Sequence, residues 1–547
     1  MLIQVALAIA PLLHTPAISA PAVHVQGATS SLAWGVPDDA IIALRINDPT
    51  GLITNELENA WIDVMSDPRW LELEVWSEAG MDFDGVSEEY WEIVGPLVHG
   101  CTEAVAWVKD FEQDNPSVYI AFRSSSEALS KVNELFPPNA TRETVDGVQF
   151  IIEGGSAVAT RDDLCLIYIG EKTTDDLPYV ASVFKSLSAL SEPAGLFETT
   201  PLGTDRNDEH FELLINLETF IEIMVEEDAE LDEMPEAFLE ELQAMKWMYM
   251  SMNFGAGQVL DSNIVVPYKQ DGYLSQLFEF AGEANHEAFS RVPVEAIGAL
   301  VGNFDIPGAV YWVVEEMMSA EALTEEEFNG ALDEMEDTLG FHLLEDFINH
   351  MTGDLLQITF PVDELDNEMQ SMMAFSYGMM VMDVSDDDSV LRVLTSLMEV
   401  AAEALTVAEE TNPWGTLWNL DLMGLFELQV GTTSGSMFLS VNPGAVETFV
   451  AHAAAGMQTA SFRTMDGAGE LLNQLGGFYT YLYRTNAIFD SAGTLFESML
   501  GMEDDPDLDV LTEIFEAASE IAGDHLDGLI GSSVSADGRL RFTTIAR

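Results

Sequence analysis

Five carboxylates near the C-terminal end of the chain have the spacing of a calcium-binding loop. They fall at loop positions 1, 3, 5, 9 and 12, and they are Asp505, Asp507, Asp509, Glu513 and Glu516. Position 6, which needs glycine for the sharp turn of such a loop, is Val510. An acidic linker that caps the following helix is therefore the favoured interpretation. Asp505, Asp507, Asp509 and Glu516 stay as candidate calcium ligands, and no other cofactor is predicted.

Histidine and methionine patterns give two further metal hypotheses. His342, Asp346 and His350 are spaced four residues apart, so a helix would place them along one face. Structural roles are favoured for them, because His350 comes just before a predicted glycine turn, where histidine commonly serves a helix C-terminus. Methionines alternate in 248–252 and cluster in 379–382. Alternate residues of a strand lie on the same face, so we expect these methionine side chains to fill the core rather than to bind copper.

Known catalytic motifs are missing from the sequence. It contains no G-x-S-x-G, H-E-x-x-H, P-loop or dinucleotide fingerprint. A hydrolase built on two carboxylates needs only a correct separation in space, and 96 acidic residues give composition no power to identify such a pair. The sequence therefore predicts no catalytic residue, and a non-enzymatic protein is the favoured interpretation.

The charge balance limits the possible partners. The chain has 547 residues, with 19 Lys and Arg against 96 Asp and Glu, for a formal net charge of −77. Nucleic acids and anionic membrane surfaces attract clustered basic residues, so neither is an expected partner. Self-repulsion of this size favours a saline or divalent-rich environment, where ions screen the surface charge.

The N-terminal segment resembles a secretory signal. An apolar run from Leu2 to Leu13 precedes small residues with plausible cleavage sites near Ser19 and Ala22, so residues 1–22 are predicted to be a signal peptide or a retained apolar segment. No later apolar stretch reaches the ~20 residues that span a bilayer. We therefore expect an exported protein that is periplasmic, envelope-associated or extracellular. Its two cysteines, Cys101 and Cys165, could form a disulfide there or remain as buried thiols.

The second half of the chain resembles the first. Segments 36–44 (VPDDAIIAL) and 292–300 (VPVEAIGAL) are identical at six of nine positions, and a D-x-x-G turn follows each of them. Later signals also keep the same order: strands, a Ser/Asp cluster that suits a helix N-cap, and a closing hairpin with glycine at its turn. The second half lacks one strand signal, so we expect one strand fewer there.

These patterns predict an α+β protein of two tandem repeats, each an antiparallel sheet covered by helices. The first repeat is predicted over 30–285 and the second over 290–547, with the boundary near 283–291. A V-P-x-D/E-A strand, a D-x-x-G turn and an amphipathic helix, all repeated, resemble a family of exported bacterial proteins of unknown function. That resemblance implies export and duplicated α+β architecture, and it implies no activity.

The function predicted from the sequence is an interaction or ligand-binding scaffold for an unknown protein or small ligand. Two alternatives stay open at this point, a carboxylate-based hydrolase and an acidic protein that binds divalent cations.

Overall fold

A computed structural model describes residues 31–69, 100–202, 210–221, 241–361, 378–487 and 517–547. Short gaps inside these ranges fall at 54, 56–57, 66, 68, 110–115, 131, 133–135, 137–139, 154, 171–172, 191–193, 320–322, 422–426, 442 and 456–459. Two compact units make up the chain. The first is Met1–Lys269 with Gly538–Arg541, and the second is Gln270–Asp537 with Phe542–Arg547. The division at Lys269 lies earlier in the chain than the predicted boundary near 283–291.

Strands β1 to β10 form the sheet of the first unit. Their bounds are Ile42–Asn47, Glu103–Val108, Val118–Arg123, Thr141–Val145, Val148–Glu153, Ser156–Arg161, Leu164–Ile169, Phe211–Ile215, Met248–Phe254 and Leu260–Pro267. Their order across the sheet is 4-5-6-7-3-2-1-8-9-10, and every neighbouring pair is antiparallel. Strand β1 therefore lies in the interior of the sheet, between β2 and β8.

Strands β11 to β20 form the sheet of the second unit, although the start of β20, up to Arg541, is grouped with the first unit. Their bounds are Gly298–Asn303, Met351–Thr359, Gly378–Val384, Thr406–Asn412, Gly415–Asp421, Glu427–Thr433, Ser436–Ser440, Tyr479–Arg484, Leu529–Ala536 and Arg539–Ala546. Their order is 14-15-16-17-13-12-11-18-19-20. This order corresponds strand for strand to that of the first unit, and β11 takes the place of β1.

The prediction of one strand fewer in the second half is wrong, because the described part of each half has ten strands. The strand that makes the difference is β15, whose sequence is GTLWNLD. The prediction also lacks β14, whose sequence is TVAEETN and whose residues are mostly exposed. Strand β14 is at the edge of its sheet, where neither face is deeply buried, so its sequence lacks the apolar alternation that marks a strand. Strand β4 is the equally exposed edge of the first sheet.

Helices cover both faces of the first sheet. One face packs against the helices Thr173–Ser188 and Leu196–Thr199 and the 3₁₀ segment Leu32–Gly35, and its core holds large buried rings that include Trp107, Phe150, Phe184 and Tyr249. The helix Ser126–Ser130 contributes Leu129 to a smaller cluster around Cys165 on β7. Burial of this much apolar surface is the main stabilising contribution to the unit.

The second sheet is covered in the same manner. The 3₁₀ segment His286–Arg291 and the helices Pro443–Ala455 and Ala468–Leu472 pack on a core around Phe438 and Phe449. On the other face, the helix Asp387–Ala401 packs against β14 to β16 through Val390 and Leu394, opposite Trp418. Mixed helix and antiparallel sheet, as predicted, is thus the fold class of the protein.

Local sequence explains how several elements begin. Asp386 caps the helix Asp387–Ala401 by accepting hydrogen bonds from the next backbone N–H groups. In both D-x-x-G turns the aspartate accepts from the glycine N–H, at 3.2 Å for Asp48 and 3.0 Å for Asp305. Thr324 and Glu327 form a capping box at the helix Glu325–Leu339. Among the described helices, none is both long enough and apolar enough to cross a membrane.

Cys101 and Cys165 are both buried, and they do not form a disulfide with each other. Burial raises the pKa of Cys101 to about 12, and it also raises the pKa of Cys165. Since the thiolate is the reactive form, both thiols should be inert at neutral pH.

We expect iodoacetamide to label neither cysteine of the folded protein at neutral pH within a time that labels both in denaturant. Mass spectrometry of intact protein before and after unfolding would measure this. Rapid labelling of the folded chain, or no labelling in denaturant without reductant, would contradict the expected pair of buried thiols.

Candidate functional site

The second unit contains two adjoining cavities beside β11, β12 and β13. Their volumes are ≈ 240 Å³ and ≈ 170 Å³, and both are lined by Gly302, Asp354, Leu355 and Asp383. The larger cavity is closed on one side by the segment His286–Arg291. Pockets for drug-sized ligands have volumes of about 300–1,000 Å³, so the larger cavity suits a smaller ligand.

An irregularity in β12 places Asp354 in this site. The register of β12 against β13 shifts between Met351 and Leu355. Gly353, inside the shift, has a φ of 90°, and a Cβ there would lie 2.6 Å from a backbone carbonyl oxygen. Only glycine fits this conformation without strain. Next to it, Asp354 accepts a hydrogen bond of 2.9 Å from the side-chain amide of Asn303.

Asp383 is held by a guanidinium and a hydroxyl at the end of β13. Arg291 Nη1 donates to Asp383 Oδ1 and Oδ2 at 2.9 and 3.1 Å, and its Nη2 donates to Ser436 Oγ at 3.0 Å. The Ser436 hydroxyl donates to Asp383 Oδ1 at 2.6 Å. The guanidinium also lies over the ring of Phe449, at 5.7 Å from its centre. Because this network is closed, it fixes one wall of the larger cavity.

A buried ionic network occupies the corresponding place in the first unit. Arg45 Nε donates to Glu103 Oε1 at 3.0 Å, and Arg45 Nη1 donates to Glu212. Glu103 also accepts from the Ser31 hydroxyl and, at 2.8 Å, from the Leu32 backbone N–H. Burial lowers the pKa of Arg45, but the charges of Glu212 and Glu103 raise it by more, so the net direction is upward.

Sheet register relates this network to the cavity. When the alignment of segments 36–44 and 292–300 is extended by one residue, Arg45 of the first unit is equivalent to Val301 of the second. Glu103 pairs with Asn47, and Asp354 pairs with Asn303, which is the aligned position. Asp354 therefore takes the place of Glu103, and Val301 takes the place of Arg45. The carboxylate is kept in the second unit, but the guanidinium that it binds in the first unit is not.

Two further positions of the network also differ. Glu212 is the register partner of Arg45, and Thr480 is the register partner of Val301. Arg123 on β3 is the register partner of Glu103, and Asp383 is the residue of β13 that corresponds to Arg123 in the strand alignment. Arg123 forms an ion pair with Asp163 at 2.9 Å, and Asp383 is bound by Arg291. At the positions of Arg45 and Arg123, the second unit thus has Val301 and Asp383.

His286 supports the segment that closes the larger cavity. Its Nε2 lies 2.9 Å from the hydroxyl of Thr480, a residue that is fully buried. Burial lowers the pKa of His286 below its ordinary 6.5, and the nearby charge of Glu283 opposes this shift. The neutral imidazole is therefore the form that the folded unit prefers.

The histidines predicted from spacing do not form a metal site with Asp346. The Nδ1 atom of His342 accepts a hydrogen bond from the Glu345 backbone N–H and so caps the short helical segment Leu343–Phe347. The backbone N–H of His342 donates to Asp346 Oδ2 at 2.9 Å. His350 instead contacts the Ser385 hydroxyl at 3.3 Å. The Nδ1 atoms of both histidines and one carboxylate oxygen of Asp346 thus have local partners.

The other metal candidates from the sequence are the C-terminal carboxylates and the methionines of the strands. Asp505, Asp507, Asp509 and Glu516 lie outside the described residues. Met380 and Met382 line the smaller cavity together with Met351, while Met379 is buried on the opposite face of β13. Within the described residues, no group of three or more His, Cys, Asp or Glu side chains is arranged to hold a metal.

Sequence reasoning did not identify Asp354, Asp383 or Arg291 as site residues. Each belongs to a motif-free stretch, and their proximity arises only from the strand order 13-12-11. One signal was present, because Arg45 interrupts the apolar strand IALRIN in a chain with only 19 basic residues. A charge at such a position must be paired when the strand is buried.

Comparison with known proteins gives no family. No protein-family model and no curated protein sequence matches the chain. Among solved structures, it is similar to crystal form IV of TP0453, with 11% identity and a TM-score of 0.25 over 43% of this chain and 79% of that one. Crystal form III of TP0453 gives 10% identity and a TM-score of 0.26 over 44% and 81%. TM-scores this low carry no argument about function.

Replacing Arg45 with methionine should destabilise the first unit strongly. Removal of one partner from a buried ion network costs about 3–5 kcal/mol, because Glu103 and Glu212 would keep buried and unpaired charges. Urea unfolding followed by circular dichroism measures the loss. Arg142→Met is the matched control, since Arg142 is exposed and its loss should cost under about 0.5 kcal/mol. Equal losses for the two variants would refute the assigned role of Arg45.

His286 should make the second unit less stable as the pH falls. Its folded pKa is lowered, so its contribution is fully present above the unfolded value of about 6.5 and is lost as pH falls through the folded value. We expect His286→Gln to flatten the decline in urea midpoint between about pH 7 and 5. Parallel pH curves for the variant and the wild type would show that His286 does not contribute.

Proposed function

We propose that the protein is an exported, non-enzymatic ligand-binding scaffold, and that the cavity beside Asp354 in its second unit is the binding site. The observation that carries this proposal is the contrast between equivalent strand positions. The first unit fills this place with its own Arg45 side chain, whereas the second unit has Val301 there and a cavity of ≈ 240 Å³. A cavity with a few fixed polar groups is a typical binding site for a small molecule.

The hydrogen bonds around the cavity favour binding over catalysis. Both oxygens of Asp383 already accept from Arg291, and Asp354 accepts from Asn303. These carboxylates are oriented by their neighbours, as recognition groups are in binding sites.

The corresponding strand orders support an origin of the two units as tandem repeats. Ten strands follow one another in the same order in each, and the D-x-x-G turn recurs with the same aspartate-to-glycine hydrogen bond. Under this proposal the buried charges of the first repeat pair with one another, and the second repeat has an open cavity at the equivalent position. Such a division leaves the first repeat with a structural role.

Export is part of the same proposal. Its support is the apolar run from Leu2 to Leu13 followed by small residues, together with a formal charge of −77 that suits a saline exterior. The expected partner is then a small solute or another molecule of the envelope or exterior.

Native mass spectrometry of the full chain, purified from its own host with and without chelator, tests the proposal. We expect a stoichiometric small molecule on the wild type that Asp354→Ala loses, because the substitution removes a recognition carboxylate. The matched control is Asp466→Ala, which removes an exposed carboxylate outside the cavity. A ligand retained by both variants would place the site elsewhere, and a mass removed only by chelator would favour the divalent-cation alternative.

A further inference from the structure

We infer that the ligand of the second-unit cavity carries a guanidinium group, which binds beside Asp354 as the Arg45 guanidinium binds beside Glu103 in the first unit. This inference rests on the proposed binding function and specifies its ligand class. The first unit serves as an internal template, because at the equivalent position a guanidinium, that of Arg45, is bound to a carboxylate, that of Glu103.

Geometry around the retained carboxylate supports a planar cation. In the template, Arg45 presents Nε to Glu103 at 3.0 Å while its Nη1 reaches a second strand. Guanidinium matches this task because its N–H donors form a rigid planar fork, unlike the single point charge of an ammonium. In the second unit, Thr480 on β18 replaces the second carboxylate with a hydroxyl, and this hydroxyl contacts His286. Asp354 is then the main anchor.

The charges that changed between the two units also favour a cation. Glu103 in the first unit binds Arg45, and its register partner on β3 is Arg123, whose guanidinium pairs with Asp163. Around Asp354 the second unit has Val301 and Asp383 at those places. Arg291 offsets the charge of Asp383, but the hydrogen-bond donor to Asp354 is the neutral amide of Asn303. A cation that enters the cavity would restore the ionic pairing that the first unit makes internally.

Cavity size and walls limit the ligand to a small molecule or a single side chain. The volume of ≈ 240 Å³ lies below that of drug-sized pockets, which begin at about 300 Å³. Val301, Leu355 and Leu356 give the cavity an apolar side that suits a short alkyl stem, and Asp354 and Asp383 give it an acidic side. A short alkylguanidine and the side chain of an arginine residue share this chemistry.

Calorimetric titration of the full chain with methylguanidinium, methylammonium and methylurea tests the inference. Methylurea matches methylguanidinium in size and planarity but is neutral, and methylammonium is a smaller cation that is charged but not planar. We expect one site in which methylguanidinium binds at least about tenfold more tightly than either of the others. Because the acidic surface attracts every cation, the titrations are run at constant ionic strength, where methylammonium reports the non-specific component.

Three variants locate the site. Asp354→Asn should weaken methylguanidinium binding at least about tenfold, because it removes a charged acceptor. Val301→Arg should abolish binding by placing a guanidinium of the chain itself in the cavity. Asp466→Asn is the matched control and should bind as the wild type does. If Val301→Arg does not fold, Asp354→Asn and the control decide the outcome.

The remaining outcomes separate this inference from the proposed function. Equal binding of methylguanidinium and methylammonium that Asp354→Asn leaves unchanged overturns the inference. Binding of a different compound or of Ca²⁺ that depends on Asp354 also overturns it, but the ligand-binding function then survives. If neither these probes nor a small-molecule extract of the host binds, both are refuted. A blocked arginine amide that binds more tightly than methylguanidinium identifies an arginine side chain as the source of the group.

Discussion

A buried charge needs a partner, and this requirement determines how the centre of each unit is built. In the first unit β1 is an interior strand, and it carries Arg45 into a buried region. The cost of removing a guanidinium from water is offset only if carboxylates meet it from both sides, as Glu103 on β2 and Glu212 on β8 do. Three strands are thereby fixed in one register, since a shift of one residue would separate these charges.

The same position in the second unit meets the requirement differently. Val301 brings no charge into the interior, so Thr480 can replace the second carboxylate without leaving an ion unpaired. The retained Asp354 stays partly exposed at the cavity, where water or a ligand can reach it. The second unit therefore has a cavity where the first unit has an internal ion pair, although the strand order is the same.

The acidic surface and the apolar cores have separate effects. A formal charge of −77 is distributed over side chains that solvent and salt can screen, while the cores around Phe150 and Phe438 are formed by apolar residues. The charge affects solubility and the choice of partners more than the fold. An acidic exterior also concentrates cations near the protein, which would raise their rate of encounter with the proposed site.

Sequence alone determined the fold class, the hairpins and several helix starts, because those depend on local signals such as the Asp386 cap and the D-x-x-G turns. It did not reveal the edge strands β4 and β14, whose exposed residues carry no apolar period. The candidate site was decided by tertiary structure. Asp354 and Asp383 are 29 residues apart in the chain, and they meet only because β12 pairs with β13 across a bulge at Gly353. Strand pairing over such distances leaves no local pattern in the sequence, so only the folded sheet could bring them together.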